Sequence, residues 1–242
     1  MNKGGITRIC LWSGPRNIST TLMYSFAQRP ETKVVDEPFY AHYLKNSSAH
    51  TYHPGAEDIL DLMENDGRKV VEMMMGNHDK PVVFFKNMTH HLLGLNRSFM
   101  KEVHNVILTR DPNEMLPSFT KVIENPTMTD VGYAQHTELL DFLVAHQIEP
   151  IVLDSKRILL NPEKALKELC QKLGIHFDKS MLSWEKGARP EDGSWAKYWY
   201  ANIHNSTGFL TYKKKTAAFP EKLKPLLEEC IPHYQRLLNL AL

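Results

Sequence analysis

Residues Ile9 to Thr21 read ICLWSGPRNISTT: an apolar run, a Gly-Pro turn, then hydroxyl residues opening a helical pattern. A strand, a tight loop and a helix N-terminus together make an anion site, because free backbone N–H groups and the helix dipole point at the bound charge. Arg16 would add a full positive charge, and Ser19 and Thr20 hydroxyl donors. The form GxxxxGK[ST] is absent, with no lysine before the hydroxyl pair. Ordinary hydrolysis of ATP or GTP, which uses that lysine and Mg²⁺, is therefore disfavoured. The same residues also suit a plain helix start, with Ser19 as the cap after a proline turn. A second candidate anion site is Arg110-Asp111-Pro112, with Ser118 eight positions on (118 − 110 = 8). Arginine offers a bidentate fork and serine a short donor. The alternative is a helix start at Asp111-Pro112 with Arg110 in a surface ion pair.

Two further segments carry titratable groups. Asp36-Glu37-Pro38-Phe39 and Lys86-Asn87-Met88-Thr89-His90-His91 each follow a short apolar run. A histidine near its ordinary pKa of about 6.5 suits a general base, whereas a glutamate needs a raised pKa or an easily ionised partner. The pair His90-His91 would also suit a helix face with one ring buried. No metal is expected: there is no HExxH, and His50-x-x-His53 has neither Cys nor clustered carboxylates beside it.

Groups this scattered must be gathered by a fold. Strand candidates are Ile6 to Trp12, Lys33 to Asp36, Pro81 to Lys86, Asn105 to Thr109 and Pro150 to Leu153, each a short run rich in β-branched or aromatic residues. Between and after them lie helical patterns: from Ser19 to Arg29-Pro30, over 56–76 with an interruption at Asp66-Gly67, over Leu139 to His146, and from Pro162 to Leu173 with Gly174 at its end. An irregular aromatic stretch, 184–212, precedes a last helix over 220–240. Alternating strands and helices predict an α/β fold of three layers, α/β/α, around a parallel sheet of about five strands. Ligands in such sheets sit at the carboxyl ends of the strands, where every loop above leaves.

The 242 residues carry 29 Lys+Arg against 28 Asp+Glu, a balance that argues against a nucleic-acid partner. No apolar run approaches the roughly 18 residues that cross a bilayer, and nothing near the first residues resembles a signal peptide. A cytoplasmic location and one domain over 1–242 are the expectation. The oligomeric state is not legible.

Taken together, the two anion segments resemble the sulfotransferase family, P-loop-like enzymes that use 3′-phosphoadenosine 5′-phosphosulfate (PAPS). Pro15-Arg16-Asn17-Ile18-Ser19-Thr20 matches the family's Pro-Arg-Ser-Gly-Thr-Thr loop, and Arg110 with Ser118 its 3′-phosphate site. Ile151-Val-Leu-Asp-Ser-Lys156, Asn161-Pro162 and Leu173-Gly174-Ile175 resemble its late strand, linker and helix end. Residues 184–209 look like the tail of a bacterial and plant subgroup sometimes labelled aminotransferase-like.

The resemblance implies a P-loop-like fold, sulfuryl transfer from PAPS to a hydroxyl or amine of a small acceptor, and no metal. It implies donor contacts at Arg16, Asn17, Ser19, Thr20, Arg110 and Ser118, and loosely at Lys186 and Arg189. It implies Lys86 beside the moving group and Glu37, or else His90, as the base. Residues 40–56 and 184–212 would wall the acceptor pocket. Asn17-Ile18 stands where the family has a small pair, which implies either a wider loop or a fold that binds without transferring. A nucleotide-dependent kinase of a small metabolite and a non-catalytic nucleotide-binding protein remain as alternatives.

Overall fold

The computed structural model describes residues 5–214 and 217–242. Five strands, β1 (Thr7–Ser13), β2 (Thr32–Asp36), β3 (Val82–Met88), β4 (His104–Thr109) and β5 (Ile151–Asp154), form one sheet in the order β2-β3-β1-β4-β5. All four pairings are parallel. The fold is α/β of the P-loop-like kind.

Alternation along β1 explains the three layers. Ile9 and Leu11 enter one buried cluster with Leu22, Met23 and Phe26 of helix Ser19–Ala27 and with Leu166 and Leu169 of helix Pro162–Lys172. Cys10 and Trp12 enter the other, with Val70 and Met74 of helix Gly67–Met75 and Leu139, Leu140 and Leu143 of helix Tyr133–Ala145. Successive strand side chains point to opposite faces, so a strand apolar throughout must be covered on both.

Three boundaries differ from the sequence expectation. The pattern over 56–76 is two helices, Ala56–Leu62 and Gly67–Met75, because the Asp66 carboxylate accepts from the Arg68 N–H at 2.9 Å and caps a new start. The helix expected over Leu139 to His146 begins six residues earlier, at Tyr133. Its first turns bury polar groups that no apolar period reveals: Thr137 Oγ1 meets His233 Nδ1 at 2.7 Å. The last helix is Lys224–Leu238, entered through a 3₁₀ turn at Glu221–Leu223. Within 184–212 the chain makes two short helical turns, Ala196–Trp199 and Ala201–His204, and one bridge, Ser183 to Gly208. Among the described residues no helix is long and apolar enough to cross a membrane.

Candidate active site

The loop leaving β1 is tied to two other strands. Asn17, buried, donates from Nδ2 to the Leu108 carbonyl of β4 at 3.1 Å. Ser155, just past β5, donates to the carbonyls of both Asn17 and Thr109. The Asn17 side chain thus ties the loop to β4 through Nδ2, while its Oδ1 is buried without a hydrogen-bond partner. Gly14 has no room for a side chain: a Cβ there would lie 2.8 Å from the Val131 carbonyl oxygen. Arg16 and Ile18 both have positive φ, 56° and 62°. Left-handed residues in such a loop turn successive N–H groups into one concavity, the geometry of an anion nest. A branched side chain there costs about 1–3 kcal/mol, which surrounding structure must offset. Ile18 packs against the sheet's first core cluster, which supplies that offset. Helix Ser19–Ala27 starts from Ile18 with no side-chain cap, so its first amides are not consumed by the protein.

Arg110 and Ser118 close around this loop. Asp111 caps helix Pro112–Phe119, accepting from Asn113 N–H, and so aims Ser118 back at the sheet edge. Arg16 Nε donates to Ser118 Oγ at 3.1 Å, and Arg110 Nη1 to the Arg16 carbonyl at 2.6 Å. Arg110 also pairs with Glu114 at 3.3 Å, while its Nε is buried without a hydrogen-bond partner. Burial and the neighbouring Arg110 charge lower the pKa of Arg16. Two guanidinium groups this close invite an anion between them.

The centre of the site follows from strand register. Asp36 and Lys86 are paired residues of β2 and β3, so their side chains emerge side by side. Lys86 Nζ donates to Asp36 Oδ1 at 2.8 Å, to Glu37 Oε1 at 2.5 Å and to the Tyr200 hydroxyl at 2.6 Å. An ammonium has three N–H donors, and all three are placed. Tyr200 in turn donates to Asp36 Oδ2 at 2.7 Å and accepts from Trp195 Nε1 at 3.2 Å. The Glu37 backbone, at φ 41°, donates to the Lys86 carbonyl at 2.7 Å, which turns its carboxylate over Lys86. Burial raises the Glu37 pKa to about 7; Lys86 opposes that rise and Asp36 adds to it. The two carboxylates hold the Lys86 ammonium well into its charged range despite full burial.

These groups share one cavity of about 430 Å³. It is lined by the loop from Pro15 to Thr21, by Arg110 and Ser118, and by Glu37 and Lys86. Tyr40, His53, His90, His91, Asp130, Trp195, Trp199 and Tyr200 complete its wall. His90 lies in this wall, its ring edge-on to Tyr43 and to His91. Burial drives its pKa down to about 3. Among the described residues no three His, Cys, Asp or Glu side chains are grouped to hold a metal ion.

Two expected contacts fall outside the cavity. Arg189 stacks its guanidinium over the Tyr24 ring at 5.3 Å and pairs with Glu191, and Lys186 is exposed. Asp192, which accepts from Tyr24, His204 and the Arg189 N–H, pulls that segment onto the first helix instead. Of the aromatics in 184–212, Trp195 is buried and Trp199 stacks on Phe119 at 6.0 Å, both lining the cavity, but Tyr198 is 41% exposed. Sequence reasoning missed Tyr200, Asp130 and the bracing role of Asp36. Asp36 adjoins Glu37 and was within reach of it; Tyr200 and Asp130 carry no local signal, because only folding brings Tyr200 to Lys86 and Asp130 to Tyr52.

The family description "Sulfotransferase domain" matches residues 7–240. The chain belongs to the sulfotransferase family. Among curated relatives, branched-chain-amino-acid aminotransferase-like proteins 2 and 1 of Arabidopsis thaliana are 41% and 40% identical over 225 residues. These matches cover 92% of this chain but 40% of each relative, so the chain spans about two-fifths of their length. A sulfotransferase from Alicyclobacillus acidocaldarius superposes with a TM-score of 0.60 at 12% identity, covering 96% of both chains. The sulfotransferase domain from the curacin biosynthetic pathway gives 0.54 at 16%, covering 95% of this chain and 98% of that one. At such identities these two structures speak for the fold alone, and the sulfotransferase assignment rests on the family match.

Proposed function

We propose that this sulfotransferase-family chain moves a sulfuryl group from PAPS to a hydroxyl or amine of a small acceptor. The observation that carries the reading is the single cavity that places an uncapped helix N-terminus, two guanidinium groups and a lysine–glutamate pair against one volume. The residues present suit a bisphosphorylated nucleotide: the amides of Ser19, Thr20 and Thr21 with Arg16 would hold one phosphate. Arg110, whose buried Nε has no partner, would hold another together with Ser118. When bound, the donor supplies a sulfuryl group on a phosphate leaving oxygen.

The chain's own part is electrostatic and acid–base. Arg16 and the helix amides stabilise negative charge on the phosphate side, and Lys86 keeps a fixed positive charge beside Glu37. Glu37 engages Lys86 through Oε1 and would take the acceptor's proton at Oε2. A base poised near neutrality is both ionised and basic at working pH. His90, held neutral far below that range, lacks the proton affinity for the same step.

Calorimetric titration with 3′-phosphoadenosine 5′-phosphate, beside ATP with Mg²⁺, tests the donor. Tight binding of the bisphosphate alone is expected. Binding of ATP with Mg²⁺ but not of the bisphosphate would turn the site into that of a kinase.

A further inference from the structure

The cavity is lined by groups of both charges. Its guanidinium groups lie on the loop and Ser118 side, and its central lysine is occupied by two carboxylates. Asp130, 3% exposed, also lines this cavity, caps the helix Met128–Val131 through Thr127, and has no cationic partner in any ion pair among the described residues. Its carboxylate accepts from Tyr52 OH at 2.7 Å and from the Thr127 N–H and hydroxyl, each at 2.7 Å, and these bonds hold its pKa below the ordinary value despite burial. A buried carboxylate facing a cavity favours a partner that is cationic or donates a hydrogen bond, and repels an anion.

Next to it, His90 is 7% exposed and lines the cavity, and its Nδ1 is buried without a hydrogen-bond partner. His53 spends Nδ1 on the Tyr40 hydroxyl at 2.8 Å and leaves Nε2 without a partner. Burial keeps both rings neutral at pH 7, their pKa values lowered to about 3 and about 4. Buried polar atoms without partners are expensive and are ordinarily satisfied by protein, water or ligand. Such a wall would be wasted on a purely apolar ring.

We infer that the acceptor carries, besides the group that receives the sulfuryl, a second hydrogen-bond donor that is not an anion, bound where His90, His53 and Asp130 meet the cavity. This rests on the sulfotransferase reading for the word acceptor, but its geometry is that of the pocket alone. Two sources share the chemistry: a hydroxyl group, which suits the neutral imidazoles, and a protonated amine, which suits Asp130.

The test uses four phenols that differ only in their tail: 4-ethylphenol, tyrosol (hydroxyl), tyramine (ammonium) and 4-hydroxyphenylacetate (carboxylate). Each is titrated calorimetrically into the full chain, with and without saturating 3′-phosphoadenosine 5′-phosphate. Tyrosol or tyramine should bind at least ~10-fold more tightly than 4-ethylphenol, the cost of leaving one buried polar group unpaired, and 4-hydroxyphenylacetate should bind more weakly than 4-ethylphenol. A lead for tyramine assigns the group to Asp130 and should vanish in Asp130→Asn. A lead for tyrosol assigns it to the imidazoles and should vanish in His90→Phe. Equal or tighter binding of 4-ethylphenol, a lead for the carboxylate, or no binding by any of the four overturns the inference. If the expected order holds while the bisphosphate fails to bind, the pocket stands and the sulfotransferase reading falls. Should either variant not fold, the order in the unaltered protein decides.

Discussion

Glu37 is buried beside Lys86, and replacing it with glutamine removes one titration while keeping the shape of the side chain. In the folded protein its carboxyl keeps a proton up to about pH 7, against 4.5 as the ordinary value. The native state therefore binds more protons than the unfolded chain across that window, and this group's contribution to stability falls as pH rises through it. At about 1.4 kcal/mol per pH unit, the whole effect is about 3 kcal/mol, of which about 2–3 kcal/mol accrues between pH 5 and pH 8. Four buried histidines, His53, His90, His91 and His136, have lowered pKa values and act in the opposite sense, adding stability as pH rises toward 6.5. They are common to both proteins, so the difference between wild type and Glu37→Gln isolates the carboxyl. Urea unfolding at pH 5, 6, 7 and 8 reads it directly. The variant should gain about 2–3 kcal/mol on the wild type from pH 5 to pH 8, a relative midpoint shift of about 1 M urea. At any one pH the offset also contains the lost ion pair with Lys86, so only the slope counts. A difference that does not change with pH would refute the raised pKa and with it the case for Glu37 as a base tuned by burial.

The same carboxyl should govern catalysis. With PAPS and a phenol that binds, kcat/KM should climb to a plateau above about pH 7, and Glu37→Gln should lower turnover by ~10²-fold or more with little change in bisphosphate affinity. A rate already level from pH 5 would point away from Glu37. Arg110→Ala and Ser118→Ala should weaken 3′-phosphoadenosine 5′-phosphate by ~10- to 100-fold, as loss of a charge-assisted contact does, while adenosine 5′-phosphate binds nearly as before. Equal loss for both nucleotides would remove the 3′-phosphate from this pair. Tyr200→Phe leaves Asp36 Oδ2, Lys86 Nζ and Trp195 Nε1 each short of one partner. It should cost about 1–3 kcal/mol in urea unfolding, and a variant as stable as the wild type would show that water takes over those bonds.

The chemistry of single segments was legible because it is local. The run from Ile9 to Thr21 shows strand, turn and helix start by residue type alone, and five apolar runs alternating with helical patterns imply a parallel sheet. That Arg110 and Ser118 stand eight residues apart across a helix start was readable too. The left-handed backbone at Ile18 was not, since a branched residue argues against it until the core that holds it is known. Lys186 and Arg189 show the converse: basic residues near the chain's end suit an anion by type, but Asp192 and the Tyr24 ring hold Arg189 outside the cavity's lining.

What only tertiary structure decided is the environment of each group. Lys86 becomes a fixed cation because register sets it beside Asp36 and because Tyr200, 114 residues away, closes over it. Glu37 and His90 are both ordinary titratable side chains in the sequence, yet burial moves the acid up and the base down, so the fold separates two residues that the sequence leaves as rivals. Residue type and spacing are properties of the chain. Burial, register and charge neighbours are set by contacts between distant segments, and the chemistry of this site depends on them.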